Sequence, residues 1–217
     1  MSTIAIFGAG GRAGRAAVAE AAARGHRVTA VVRHPSRYPD LAGERVSVVA
    51  GDSTDAASVA AVAAGHDGAI GAAIRLDVPA GEYLPAAARA LASGLTSAGV
   101  GRLVFIGIGT TLETAPGVPV HDAPDFPAEY RAFSLGHAAA LDVFAGTTGP
   151  LDWLVVAPPP TLLDADGPRT GRYRIGGRQV LPDIGDGPFR YADLAVALLD
   201  EIDTPRHHRT LVAVNWR

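Results

Sequence analysis

The chain has 217 residues, 48% of them hydrophobic and 19% charged, with a net charge of −3, the proportions of one globular domain with a substantial core. That charge balance gives no reason to expect nucleic acid or an acidic membrane as a partner. The absence of cysteine excludes disulfides, thiolate nucleophiles and Cys-ligated metal. All 19 basic residues are arginine. Without lysine there is no Schiff base, no Walker lysine and no Tyr-x-x-x-Lys pair. The apolar runs are too short to span a bilayer and no leader pattern precedes the first strand, so a cytoplasmic location is expected.

Short β-rich runs alternate with alanine-rich helical stretches, which predicts an α/β fold: a doubly wound parallel sheet with helices on both faces. Residues 3–7 form the first strand and 11–24 the first helix, closed by Gly25. Strands follow at 26–32, 45–49 and 67–73, with a short helix at 56–64 between the last two. A helix at 85–98 leads to a fifth strand at 102–106. Residues 108–128 are a long connection, a candidate site loop. A helix at 128–145 and a sixth strand at 151–156 come next. Beyond Pro158-Pro159-Pro160 the pattern predicts a hairpin, 171–175 with 178–181, then a helix at 191–202 and a last strand at 210–214. The whole chain reads as one domain, with residues 158–217 capping the substrate side.

The organising stretch is Gly8-Ala9-Gly10-Gly11-Arg12-Ala13-Gly14, between the first strand and the first helix. Gly8 permits a tight turn, Gly11 leaves bare backbone beside a pyrophosphate, and Gly14 lets helix and strand pack closely. Free N–H groups and the positive dipole end of the helix favour an anion there. The stretch therefore predicts dinucleotide binding.

Arg33 directly follows the second strand, with Arg37 nearby, where NAD-binding chains carry a carboxylate for the ribose hydroxyls. A guanidinium suits a 2′-phosphate, and Arg12 stands within reach of the same group, so NADP(H) is expected. Asp52 and Ser53 follow the third strand. They address the adenine amine or cap the next helix. Gly71, Ala72 and Ala73 are small enough for a cofactor to cross the sheet edge.

These motifs, with Gly51-Asp52, the segment RLVFIGIGTTLETAPG and the tail segments DWLVVAPPP, DGPRTGRYRIGG and YADLAVALLDEI, resemble the atypical short-chain dehydrogenase/reductases. The nearest groups are NAD(P)-binding proteins of the NmrA-like and biliverdin reductase B (flavin reductase) type. The resemblance implies an NADPH-dependent reductase of a flavin, quinone or similar conjugated acceptor, working as a monomer or homodimer. In the NmrA-like branch it implies instead a non-catalytic NADP(H) sensor. A sugar or isoprenoid epimerase of the extended superfamily is a third reading, against which the missing Tyr-Lys pair argues: Tyr130 is followed four residues later by Ser134. The resemblance points to hydroxyls at Thr110 and Thr111 beside the nicotinamide, and to His137 as an orienting or proton-relaying imidazole. Ala157, Pro158 and Pro159 would wall the nicotinamide, with Gly107 a further cofactor-binding position. The stretches 112–127 and 160–170 would form a lid. Neither His207-His208 nor His121-Asp122 has a third ligand at metal spacing, so no metal is expected.

Overall fold

In a computed structural model, which describes residues 1–183 and 187–217, the first strand β1 (Thr3–Phe7) already sorts the layers. Ile4 and Ile6 face one apolar cluster, while Ala5 and Phe7 face the other. That follows from the two-residue period of a strand buried on both sides. Chain order continues through α1 (Arg12–Ala23), β2 (Arg27–Val32), β3 (Val46–Ala50), α2 (Ala56–Ala63), β4 (Gly68–Gly71), α3 (Ala80–Ser97) and β5 (Arg102–Ile106). After β6 (Glu113–Ala115) and β7 (Val118–Pro119) come α4 (Ala128–Ala145), β8 (Asp152–Ala157), β9 (Arg174–Ile175), α5 (Tyr191–Asp203) and β10 (Thr210–Asn215).

The sheet order is β3-β2-β1-β4-β5-β8-β10-β9, with every pairing parallel except the antiparallel edge β10–β9. The expected doubly wound α/β fold is present. Helices α1 and α5 cover one face, and α2, α3 and α4 the other. Phe105, Phe144 and Trp153 pack together in the second layer, with ring centroids 5.1 and 5.8 Å apart; each such ring stabilises the fold by about 1.5–3 kcal/mol through burial. The strand order reverses between β1 and β4, the position at which open α/β sheets bind ligands.

Three expectations need correction. Helix α3 begins at Ala80, not Pro85. Proline at the sixth helical position leaves the Gly81 carbonyl without its i+4 donor, and Gly81 is exposed, so that carbonyl is not stranded in the core. Residues 178–181 do not return as a hairpin on 171–175. Ile175 pairs with Val214, whereas Arg178 O and Val180 N bond to Glu113 of β6. Finally, the second half of the 160–170 stretch is fastened rather than free to close. Arg169 pairs with Glu20 of α1 at 2.7 Å, and Asp193 of α5 accepts from the N–H groups of Thr170 and Gly171 and from the Thr170 hydroxyl.

Candidate functional site

The glycine loop behaves as its spacing requires. Gly8 has φ +82°, and a Cβ there would lie 2.4 Å from Ala73 Cα. A Cβ at Gly14 would fall 2.1 Å from the Gly8 carbonyl oxygen. Gly11 differs: its Cβ would find only the Gly8 oxygen, at 3.5 Å, so its outer side is open. In α1 the first N–H bonded to the main chain is that of Arg15, to Gly11 O. The N–H groups of Arg12, Ala13 and Gly14 precede any intrahelical acceptor, leaving a cradle of donors at a positive helix end. These features fit a dinucleotide's diphosphate.

A cleft opens above this loop at the carboxyl ends of β1, β2, β3 and β4. Its lining includes Gly8, Gly10, Gly11, Arg33, Ser53, Ala72 and Ala73 from the sequence-based set. Arg33 is exposed and, among the described residues, makes no hydrogen bond or ion pair. Tyr38 and Tyr83 also line the cleft, and neither was expected. The Tyr83 hydroxyl sits 2.8 Å from Ser53 Oγ. Burial pushes the Tyr83 phenol up from its ordinary value, despite the Ser53 hydrogen bond and nearby Arg33 and Arg75.

Other expected residues stand outside this cleft. Arg12 and Arg37 are exposed on α1 and on the 3-10 turn Pro35–Arg37. Asp52 neither caps α2 nor lines the cleft. Its carboxylate accepts from the Thr54 N–H and hydroxyl at 2.8 and 2.7 Å, and Asp55 is the N-cap, so Ser53 is not a cap either. Burial raises the Asp52 carboxyl, but the Thr54 bonds and the charges of Arg33 and Arg75 outweigh it and hold the group below its ordinary value. Gly71 is a packing residue, since a Cβ there would lie 2.6 Å from the Phe105 ring. Gly107 lies against Val155, and its N–H serves the sheet through Val156 O.

A second constellation gathers at the ends of β5 and β8. A Cβ on Gly109 would meet the backbone of residues 158–160 at 2.3–2.5 Å, so the 3-10 turn Gly109–Thr111 is pressed on the buried Pro158 rim. Thr110 Oγ1 lies 2.8 Å from Ser134 Oγ of α4, and His121 Nδ1 donates to Thr110 O at 2.7 Å. Thr111 is buried, and its hydroxyl closes the turn on Ile108 O, so the turn itself accounts for this threonine. His137 stands on α4 edge-on to Phe133, with Nδ1 buried and unpartnered. Burial pushes its imidazole down to about 4, which leaves it neutral at neutral pH.

Residues 8–205 match a family profile described as NAD(P)H-binding. The chain belongs to this NAD(P)H-binding family. The membership fits the resemblance to NmrA-like and flavin reductase-type proteins. The chain is similar to the uncharacterized protein YwnB of Bacillus subtilis, 35% identical over 210 residues that cover 94% of this chain and 93% of that protein. Among solved structures it is similar to a Burkholderia pseudomallei protein named "putative exported protein", with TM-score 0.86 and 38% identity over the whole of both chains. It is also similar to a Streptococcus pneumoniae "putative NADH-flavin reductase", with TM-score 0.84 and 26% identity, again over the whole of both chains. Among the described residues of this family member, no helix is long and apolar enough to cross a membrane.

Proposed function

We propose that this NAD(P)H-binding protein is a cytoplasmic NADPH-dependent reductase that delivers a hydride to a conjugated acceptor, a flavin or quinone. The observation that carries the cofactor choice is Arg33, an unpaired guanidinium on the cleft at the end of β2. A 2′-phosphate offers it a bidentate partner, while a bare ribose hydroxyl does not. The glycine cradle would hold the diphosphate, and Ala72 and Ala73 leave room beside it. Bound there, the reduced nicotinamide supplies the hydride.

The acceptor class follows from what the chain lacks. Reducing a ketone calls for an acid that protonates the forming alkoxide. No lysine is present to tune Tyr130, and His137 is neutral. Flavins and quinones hold the incoming electron pair as delocalised anions and need mainly to be stacked and oriented. The similarity to the Streptococcus pneumoniae protein supports this class.

The test is NADPH oxidation against a panel of flavins and quinones, with dinucleotide affinities measured by calorimetry. Wild type should turn over at least one acceptor. Arg33→Asp should raise the Kd for NADPH by about 100-fold, the scale of a lost charge-assisted bond plus repulsion, and that for NADH by under about threefold. Equal effects on both dinucleotides would refute the role of Arg33. Tight NADPH binding with no turnover of any acceptor would turn the reading to an NADP(H) sensor.

A further inference from the structure

Ser134 lies four residues after Tyr130 on α4, and its hydroxyl is 3.0 Å from the Tyr130 carbonyl oxygen. A carbonyl only accepts, and a serine has one hydroxyl proton, so that proton goes to Tyr130 O. Ser134 Oγ, 1% exposed, therefore has only lone pairs left for Thr110 Oγ1, 2.8 Å away. Thr110 must donate there, and its single proton is committed as well. The main chain of Thr110 is held too: His121 Nδ1 donates to its carbonyl, and the preceding Gly109 is pressed on the Pro158–Pro160 backbone. Position and polarity of the hydroxyl of this half-buried residue are both fixed.

We infer that Ser134 is a positioning residue that makes Thr110 a hydrogen-bond acceptor toward the ligand, so that the group Thr110 meets is an N–H donor rather than a carbonyl or quinone oxygen. The inference rests on the proposed dinucleotide reading. It narrows that reading, because it removes Thr110 as an activator of the acceptor's oxygen. Two ligands carry a suitable N–H: the nicotinamide carboxamide and the flavin ring system.

The test compares NADP⁺ with its 3-acetylpyridine analogue, in which a methyl replaces the carboxamide NH₂, by calorimetry. Alongside it, KM is measured for a flavin and for a quinone that has no N–H. Proteins are wild type, Thr110→Val, Thr110→Ser and Ser134→Ala. If the donor is the carboxamide, wild type binds NADP⁺ roughly three- to tenfold more tightly than the analogue, the scale of one neutral hydrogen bond. Thr110→Val erases that preference, Thr110→Ser keeps it, and Ser134→Ala narrows it, because the freed Thr110 hydroxyl can then donate to the acetyl oxygen. If the donor is the flavin, the same pattern appears as a rise in flavin KM with quinone KM unchanged. NADP⁺ binding with no such discrimination in either arm, or Ser134→Ala matching wild type in both, overturns this inference alone. No heat with either dinucleotide overturns the functional reading and this inference with it.

Discussion

The ring of Tyr38 covers the Cα of Gly10, and a Cβ built on that glycine would lie 2.4 Å from Tyr38 Cε1. The guanidinium of Arg15 sits 5.6 Å from the same ring centroid, with its charge paired to Asp40. The aromatic side chain thus bridges the glycine loop and the exit of β2 at the rim of the cleft. The obstacle to a larger residue at position 10 is a side chain that can swing away. At Gly14 it is main chain that cannot.

That difference predicts a graded response to alanine along one loop. Gly14→Ala drives a methyl to 2.1 Å from Gly8 O, so α1 must shift against β1; about 1–3 kcal/mol of stability should be lost, the usual scale of overpacking. Gly11→Ala meets nothing nearer than 3.5 Å. Its stability should stay within about 0.5 kcal/mol of wild type, while NADPH affinity falls at least tenfold, because the methyl occupies the diphosphate's place. Denaturant titration and calorimetry read the two effects separately. Wild-type affinity in Gly11→Ala would remove the loop as the diphosphate seat.

The glycine spacing and the first strand at 3–7 were legible because both are local: each follows from a few consecutive residues and the backbone they allow. Tyr83 was not legible. The proline at 85 suggested a helix start, which cut off the turn that carries the phenol to Ser53, 30 residues away in the chain. Tyr38 escaped for a related reason. Two successive 3-10 turns, Pro35–Arg37 and Pro39–Leu41, fold the chain back on the glycine loop, and single-residue patterns do not encode that reversal. The sequence set Arg33 apart from Arg12 and Arg37 only by its place just past the second strand. Of the three, Arg33 alone lines the cleft, because only it directly continues a strand into the sheet edge.

Asp193 should act as the buckle of the 164–171 segment. It has 0% exposure, and its carboxylate accepts three hydrogen bonds, from Thr170 N, Thr170 Oγ1 and Gly171 N. Asp193→Ala leaves those donors unmatched, which costs about 2–4 kcal/mol given one or more unsatisfied buried groups. Protease cleavage should concentrate near residue 170 and precede global unfolding. Cleavage spread evenly over the chain would mean that the segment is held by other contacts.

At the opposite edge of the sheet, Arg102 ties β5 to β8 and α5. Its guanidinium bonds Asp152 at 2.7 Å, Glu201 at 3.0 Å and the carbonyls of Glu201 and His207. Glu201 is 2% exposed. Removing only the cation strands a buried carboxylate, which costs about 3–5 kcal/mol in comparable pairs. Arg102→Met should therefore be clearly destabilised, and Arg102→Met with Glu201→Gln less so than the single variant. Because the network lies at the amino ends of the strands, NADPH affinity of the folded single variant should match wild type. A lower affinity would indicate that strain at this edge reaches the cleft.

His137 gives the fold a dependence on acidity that can be isolated. The imidazole accepts its proton near 6.5 in the unfolded chain and, owing to burial, near 4 in the folded one. Between those values the unfolded state binds the extra proton, so stability rises with pH across that window. The penalty is absent above 6.5, grows as pH falls, and is complete below about 4, where it reaches roughly 3 kcal/mol from the size of the shift. Carboxylates such as Glu20 and Asp52, held below their ordinary values by arginines and hydrogen bonds, also lose stabilisation in acid. The informative quantity is thus the difference between wild type and His137→Leu, whose apolar side chain leaves the buried Nδ1 position without a titrating group. Measured by urea unfolding from pH 7 to pH 4, that difference should shift in favour of the variant by up to the same roughly 3 kcal/mol. Parallel stability curves would mean that His137 is protonated as easily in the folded protein as in the unfolded chain, and would withdraw the neutral imidazole from the argument for the acceptor class.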